Sequence, residues 1–340
     1  MRSRALFALL AWASPLLGQR EDGPLAQKLI ELHQQPSTAA LRARSPLPAD
    51  PARVVHYVRP RDADPAVTQF LQDHYAMLYR PVAKNGHLFL FFPGTFGRPQ
   101  NTQLVLDTAA RSGYLALGLE YVNTTRDAGR ASVGSLCAGS RDLACAGQVR
   151  HERMFGEDTS PLVEVAQADA IVTRVEKALA HLSREFPKEG WGRFLSSDGR
   201  VRWELVAAAG HSQGAGMAAY LAKKFALARV CLLSGTGDFS RPAWAYASWL
   251  KGESATPADR FYAMAHEKES GYRAIMGGYQ VLGLDKAHIL TVSLPPVQGG
   301  ALGGSEHGST ATDAATPKNA DGSPAYRSQW EFLIGGKDLK

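Results

Sequence analysis

Residues 203–216 read Trp203-Glu204-Leu205-Val206-Ala207-Ala208-Ala209-Gly210-His211-Ser212-Gln213-Gly214-Ala215-Gly216. An apolar run of strand length ends in a glycine-bracketed serine, and small apolar residues of helical character continue to position 226. A strand that turns directly into a helix needs small residues where the two backbones cross, and Gly210, Gly214 and Gly216 supply them. The pattern G-x-S-x-G is weak alone. Between a strand and a helix it has the context of a strained turn that lifts a serine hydroxyl above the sheet edge. The amides of the following helix end face that hydroxyl and stabilise negative charge. The competing reading is a nucleotide-binding turn, but no G-x-G-x-x-G or G-K-[ST] pattern accompanies this one.

Working outward, further strands are expected at 52–58, 74–79, 87–92, 114–121, 228–233, 260–265 and 287–294. Residues 101–112 are helical in pattern, with Gly113 as a stop. The strongest helical stripe is Val165, Ala168, Val172, Val175, Leu179, Leu182 and Phe186, with Ser160 placed to cap it and Pro161 at its first position. Residues 124–158 read as a long loop and residues 19–45 as an N-terminal arm, helix-prone but loosely patterned over 24–45. Buried strands alternating with amphipathic helices imply an α/β fold: a mostly parallel sheet with helices on both faces.

A second signal follows the 87–92 strand: Phe92-Pro93-Gly94-Thr95-Phe96-Gly97. A loop here can aim a backbone N–H at a substrate oxygen, with the Gln213 amide as its partner in an oxyanion hole. Thr95 is the first choice for the loop donor and Phe96 the second. Both signals lie at the carboxyl ends of their strands, where open α/β sheets bind ligands.

With these two motifs the chain resembles the α/β-hydrolase superfamily, and the Gly210–Gly214 pentapeptide is similar to those of secreted esterases and lipases. The resemblance covers nearly all of residues 46–340 in element order. It implies one catalytic domain there, and a Ser–acid–His order, so that both partners of Ser212 lie beyond it. His307, in Gly303-Gly304-Ser305-Glu306-His307-Gly308, is the expected base, with His288 and His266 as competitors. The acid is Glu269 by position after the 260–265 strand, with Glu267 and Asp238 left open. His211 is expected to pack under the turn or line the pocket rather than act as base. Phe96, Trp244, Tyr246 and Trp249 are candidates for an apolar substrate wall, with ordinary packing as the competing reading.

The implied activity is hydrolysis of carboxylic esters, small or polymeric, through an acyl-enzyme, with no cofactor. The same triad also serves amidases, peptidases and acyltransferases, and the fold can be kept by a non-catalytic binding protein. No metal is expected, because the ten histidines lack H-E-x-x-H or comparable spacing. The composition is that of a globular protein: 45% hydrophobic and 21% charged over 340 residues, which excludes disordered and collagen-like classes. The net charge of +6 comes without a basic block, so no nucleic-acid partner is expected.

Residues 1–18 have the form of a signal peptide: Met1-Arg2-Ser3-Arg4, then an uncharged run to Leu17, then Gly18 before polar sequence. That run is too short to span a bilayer, so no stable membrane insertion is expected, and the location is secreted or periplasmic. Cys137 and Cys145 are then expected to pair, while Cys231 lies in an apolar run as a buried thiol.

Overall fold

The computed structural model describes residues 24–81, 85–125, 132–297 and 305–335. The 1–18 leader, residues 126–131 of the long loop and Gly303-Gly304 before His307 lie outside them.

Among the described residues ten strands form: β1 (Arg53–Val58), β2 (His74–Tyr79), β3 (Leu88–Phe92), β4 (Leu115–Gly118), β5 (Val206–His211), β6 (Arg229–Leu233), β7 (Phe239–Ser240), β8 (Ala245–Tyr246), β9 (Phe261–His266) and β10 (Ile289–Val292). Eight of them make one sheet in the order β1-β2-β4-β3-β5-β6-β9-β10, and β7-β8 is a separate hairpin. Strand β2 pairs antiparallel with both β1 and β4, whereas every pair from β4 to β10 is parallel.

The helices used below are α1 (Pro24–His33), α2 (Gln103–Arg111), α3 (Val133–Cys137), α4 (Cys145–Phe155), α5 (Ile171–Glu185), α6 (Gln213–Lys224), α7 (Tyr272–Val281), α8 (Glu306–Ser309) and α9 (Arg327–Ile334).

Strand β3 shows why the sheet is covered twice. Leu88, Leu90 and Phe92 pack into the apolar cluster that holds α5 and α6, and Phe89 and Phe91 into the one that holds α2 and α9. All five are fully buried, and burying each contributes roughly 1.5–3 kcal/mol. A strand apolar at every position is therefore stable only between two helical layers.

Two expectations change. The helical stripe begins at Ile171, not near Pro161. The cause is a buried carboxylate: Glu152 accepts the amides of Thr159, Ser160 and Val165, which holds that segment in an irregular path. The 124–158 loop contains α3 and α4. Helix α4 escaped the apolar pattern because its buried face carries Arg150, Glu152 and Arg153. Cys137 and Cys145 are joined by a disulfide, which ties the end of α3 to the start of α4.

Candidate active site

Ser212 stands between the last residue of β5 and the first of α6, at φ +56° and ψ −123°. A side chain costs about 1–3 kcal/mol there, so the surroundings must hold it. They do so by close backbone contact. A Cβ on Gly210 would collide with the Gly214 carbonyl, and one on Gly214 would collide with the Phe92 oxygen. The Ser212 amide donates to the Leu233 carbonyl at 2.8 Å, which ties the turn to β6.

The Pro93–Gly97 loop lies against this serine, since a Cβ on Gly94 would be 3.2 Å from Ser212 Cβ. Gly97 N–H donates to the Gly94 carbonyl at 2.9 Å, which closes a tight turn over Thr95 and Phe96, and Phe96 has φ +57°. The Phe96 amide donates to Asn123 Oδ1 at 3.1 Å, whereas the Thr95 amide has no acceptor among the described residues. The Gln213 amide is the first of α6, where no intrahelical acceptor exists. Thr95 and Gln213 each thus keep an amide without a hydrogen-bond acceptor among the described residues, whereas that of Phe96, the second choice, is already occupied.

His307 lies in the single turn α8, whose start Ser305 caps by accepting the Gly308 amide. Its Nδ1 donates to Glu269 Oε2 at 2.5 Å. Glu269 is buried three residues beyond β9, and its Oε1 accepts from the His266 amide at 2.8 Å and Ser234 Oγ at 3.0 Å. Three donors thus converge on this one carboxylate, and the Nδ1 bond leaves His307 Nε2 as the ring nitrogen turned away from it. His307 is brought to the elbow by His211, whose Nε2–H donates to the His307 carbonyl at 2.9 Å. Burial, with the neighbouring His307 ring, pushes the pKa of His211 down to about 3, so its ring is neutral and serves as a fixed donor.

The competing candidates are placed elsewhere. Glu267 is exposed, with its amide on the Val292 carbonyl. Asp238 is held by Arg150 Nε and Nη2 at 2.7 and 2.8 Å and by Trp249 Nε1 at 2.9 Å. His266 spends Nε2 on the Leu294 carbonyl, and His288 stacks on Tyr262. Among the aromatic candidates, Phe96 packs against Ala26 and Ile30 of α1, Tyr246 Oη donates to the Ala274 carbonyl, and Trp244 is 81% exposed. Among the described residues no three His, Cys, Asp or Glu side chains group as metal ligands would, and no helix is long and apolar enough to cross a membrane.

Three residues near the site were not anticipated. Arg150 Nη1 donates to the Gln213 carbonyl at 3.1 Å, and Arg153 Nη1 to Gln213 Oε1 at 2.5 Å. Asn123, buried beyond the end of β4, touches both the Thr95 loop and Gln213. Their one sequence signal is position: Asn123 follows a strand that ends at the same sheet edge as Ser212.

A mostly parallel eight-strand sheet, with one antiparallel strand inside its edge and a serine turn after β5, is the α/β-hydrolase fold. No protein-family model matches the chain. Over 49 residues, 14% of its length, it is 43% identical to Dienlactone hydrolases 2 and 1 of Gibberella moniliformis. The matched stretch spans 21% and 19% of those two proteins, about a fifth of their length. Among solved structures, a Thermus thermophilus protein aligns at 14% identity over 84% of this chain and 100% of its own, with a TM-score of 0.42. An esterase of the bacterial hormone-sensitive lipase family aligns at 13% identity over 94% of this chain and 99% of its own, with a TM-score of 0.40.

Proposed function

We propose that this chain is an exported serine hydrolase of carboxylic esters, with residues 46–340 as its catalytic domain behind a cleaved leader and the 19–45 arm. The observation that supports the reading is the His211–His307 hydrogen bond, which ties the residue before the strained Ser212 to the backbone of a histidine whose imidazole is paired to Glu269. Ser212 Oγ attacks the ester carbonyl and gives its proton to His307 Nε2. The carbonyl oxygen becomes an oxyanion on the Thr95 and Gln213 amides, and Glu269 stabilises the imidazolium. The C–O bond then breaks, and His307 returns the proton to the departing alcohol. Water, deprotonated by His307, releases the acid and restores Ser212.

Ester chemistry is favoured by the local likeness to dienlactone hydrolases. Export is favoured by the 1–18 leader pattern and by the Cys137–Cys145 disulfide, which persists in an oxidising compartment. The test is fluorophosphonate labelling, followed by p-nitrophenyl esters of rising chain length beside matched anilides. Wild type is expected to label, Ser212→Ala to stay unlabelled, and ester turnover to fall by about 10⁴-fold or more in that variant. Equal labelling of the two proteins would remove the serine from the mechanism.

A further inference from the structure

We propose that Asn123 is a positioning residue that holds the two halves of the oxyanion hole in register; this rests on the serine-hydrolase reading above. The two amides come from separate elements, the loop after β3 and the start of α6. A fixed anion site needs them within about 0.5 Å of a common target. Asn123 is bonded to both elements, though to neither amide itself. Its Oδ1 accepts from Phe96 N–H at 3.1 Å, and its Nδ2 donates to the Gly97 carbonyl at 2.8 Å. Its own carbonyl accepts from Gln213 Nε2.

The side-chain bonds act on the turn that needs them. Phe96 occupies a positive-φ position without being glycine, so the orientation of the Thr95–Phe96 peptide must be imposed from outside. Asn123 grips the N–H of Phe96 and the C=O of Gly97, which fixes the turn and with it the free Thr95 amide. On the other side, Gln213 is held at its far end by Val133 N–H at 3.1 Å and Arg153 Nη1, both from the segment around the disulfide. Asn123 closes this chain of contacts between two otherwise independent donors. It is fully buried, so its bonds are not exchanged with water. It acts only through the two donors, and its removal is therefore expected to weaken the transition state more than the ground state.

The experiment compares wild type with Asn123→Ala and Asn123→Asp, using active sites counted by end-point fluorophosphonate titration. The Asp variant is isosteric. It keeps an acceptor for Phe96 and sets a second oxygen against the Gly97 carbonyl, which guards against a fold lost through the cavity. In both variants kcat per labelled site is expected to fall roughly 10- to 100-fold, less than for deleting a donor outright, with KM within about threefold. Affinity for an alkyl boronic acid, which mimics the tetrahedral intermediate, should fall in parallel with kcat/KM. The inference is overturned by labelled variants that keep kcat and boronate affinity within threefold of wild type, or that lose only KM. If wild type itself does not label, the hydrolase reading fails instead.

Discussion

Two of the histidine–glutamate pairs among the described residues are nearly the same in geometry. His307 Nδ1 meets Glu269 Oε2 at 2.5 Å, and His33 Nδ1 meets Glu120 Oε1 at 2.5 Å. Both glutamates are buried, and both lie just past the carboxyl end of a parallel strand, β9 and β4. The surroundings differ. The His33 side chain is fully buried, its ring sits 4.7 Å from that of Phe70, and its Nε2 makes no hydrogen bond among the described residues. The His307 side chain is 29% exposed, and its carbonyl is tied to His211 beside Ser212. Glu269 has three donors, whereas Glu120 Oε2 has none among the described residues. The pair is the same, and what differs is access to solvent and, on the proposed reading, a neighbouring nucleophile. His33 ends α1, whose Ala26 and Ile30 pack on Phe96, so the dry pair anchors the arm against the loop that carries Thr95.

The sharpest way to break this comparison is to truncate each ring. His307→Ala is expected to lower ester kcat by about 10⁴-fold or more while the melting temperature moves little. His33→Ala is expected to do the reverse. It leaves Glu120 buried without its partner, at a cost of about 3–5 kcal/mol in chemical denaturation, with kcat per folded enzyme within about fivefold. A large kcat loss in His33→Ala at unchanged stability would erase the distinction.

This division explains what was legible beforehand. Gly210–Gly214 and the all-apolar β3 announced the elbow and the doubly covered sheet, because backbone clearance and burial are local demands. Ser212 and the late His307 could be named as candidates from one turn and the order of elements. The acid stayed open among Glu269, Glu267 and Asp238, because carboxylates differ in what surrounds them, and that is settled by contacts between residues far apart in the chain. Asp238 is claimed by Arg150 from α4, a helix hidden because its buried face is charged rather than apolar. The His33–Glu120 pair spans 87 positions, and no spacing rule reaches it.

Asp238 sharpens the comparison by a smaller effect. Asp238→Asn removes the charge facing the buried Arg150 and is expected to cost about 3 kcal/mol of stability, with kcat per folded enzyme falling less than tenfold. Glu269→Gln should instead lower kcat by about 10³- to 10⁴-fold with a minor change in melting temperature. Steady-state rates normalised to folded protein, read beside urea unfolding, separate the two. A collapse of kcat in Asp238→Asn alone would move the triad acid to position 238.

The smallest effect concerns His211, a third kind of histidine that is neither base nor ion-pair partner. Its folded pKa near 3 lies below the ordinary 6.5, so between these values the unfolded chain binds a proton that the folded one does not. Its contribution to stability is therefore full above about pH 6.5 and is lost progressively as the pH falls toward 3. The amide side chain of a His211→Gln variant does not titrate, yet it carries an N–H able to reach the His307 carbonyl. At pH 7.5 the variant is expected to melt slightly lower than wild type and to lose only a few-fold in kcat. The gap between the two melting curves should then close on acidification, because in wild type alone protonation of the ring stabilises the unfolded chain. Parallel curves from pH 7.5 to 4 would show that His211 is not the buried neutral donor that holds the His307 carbonyl.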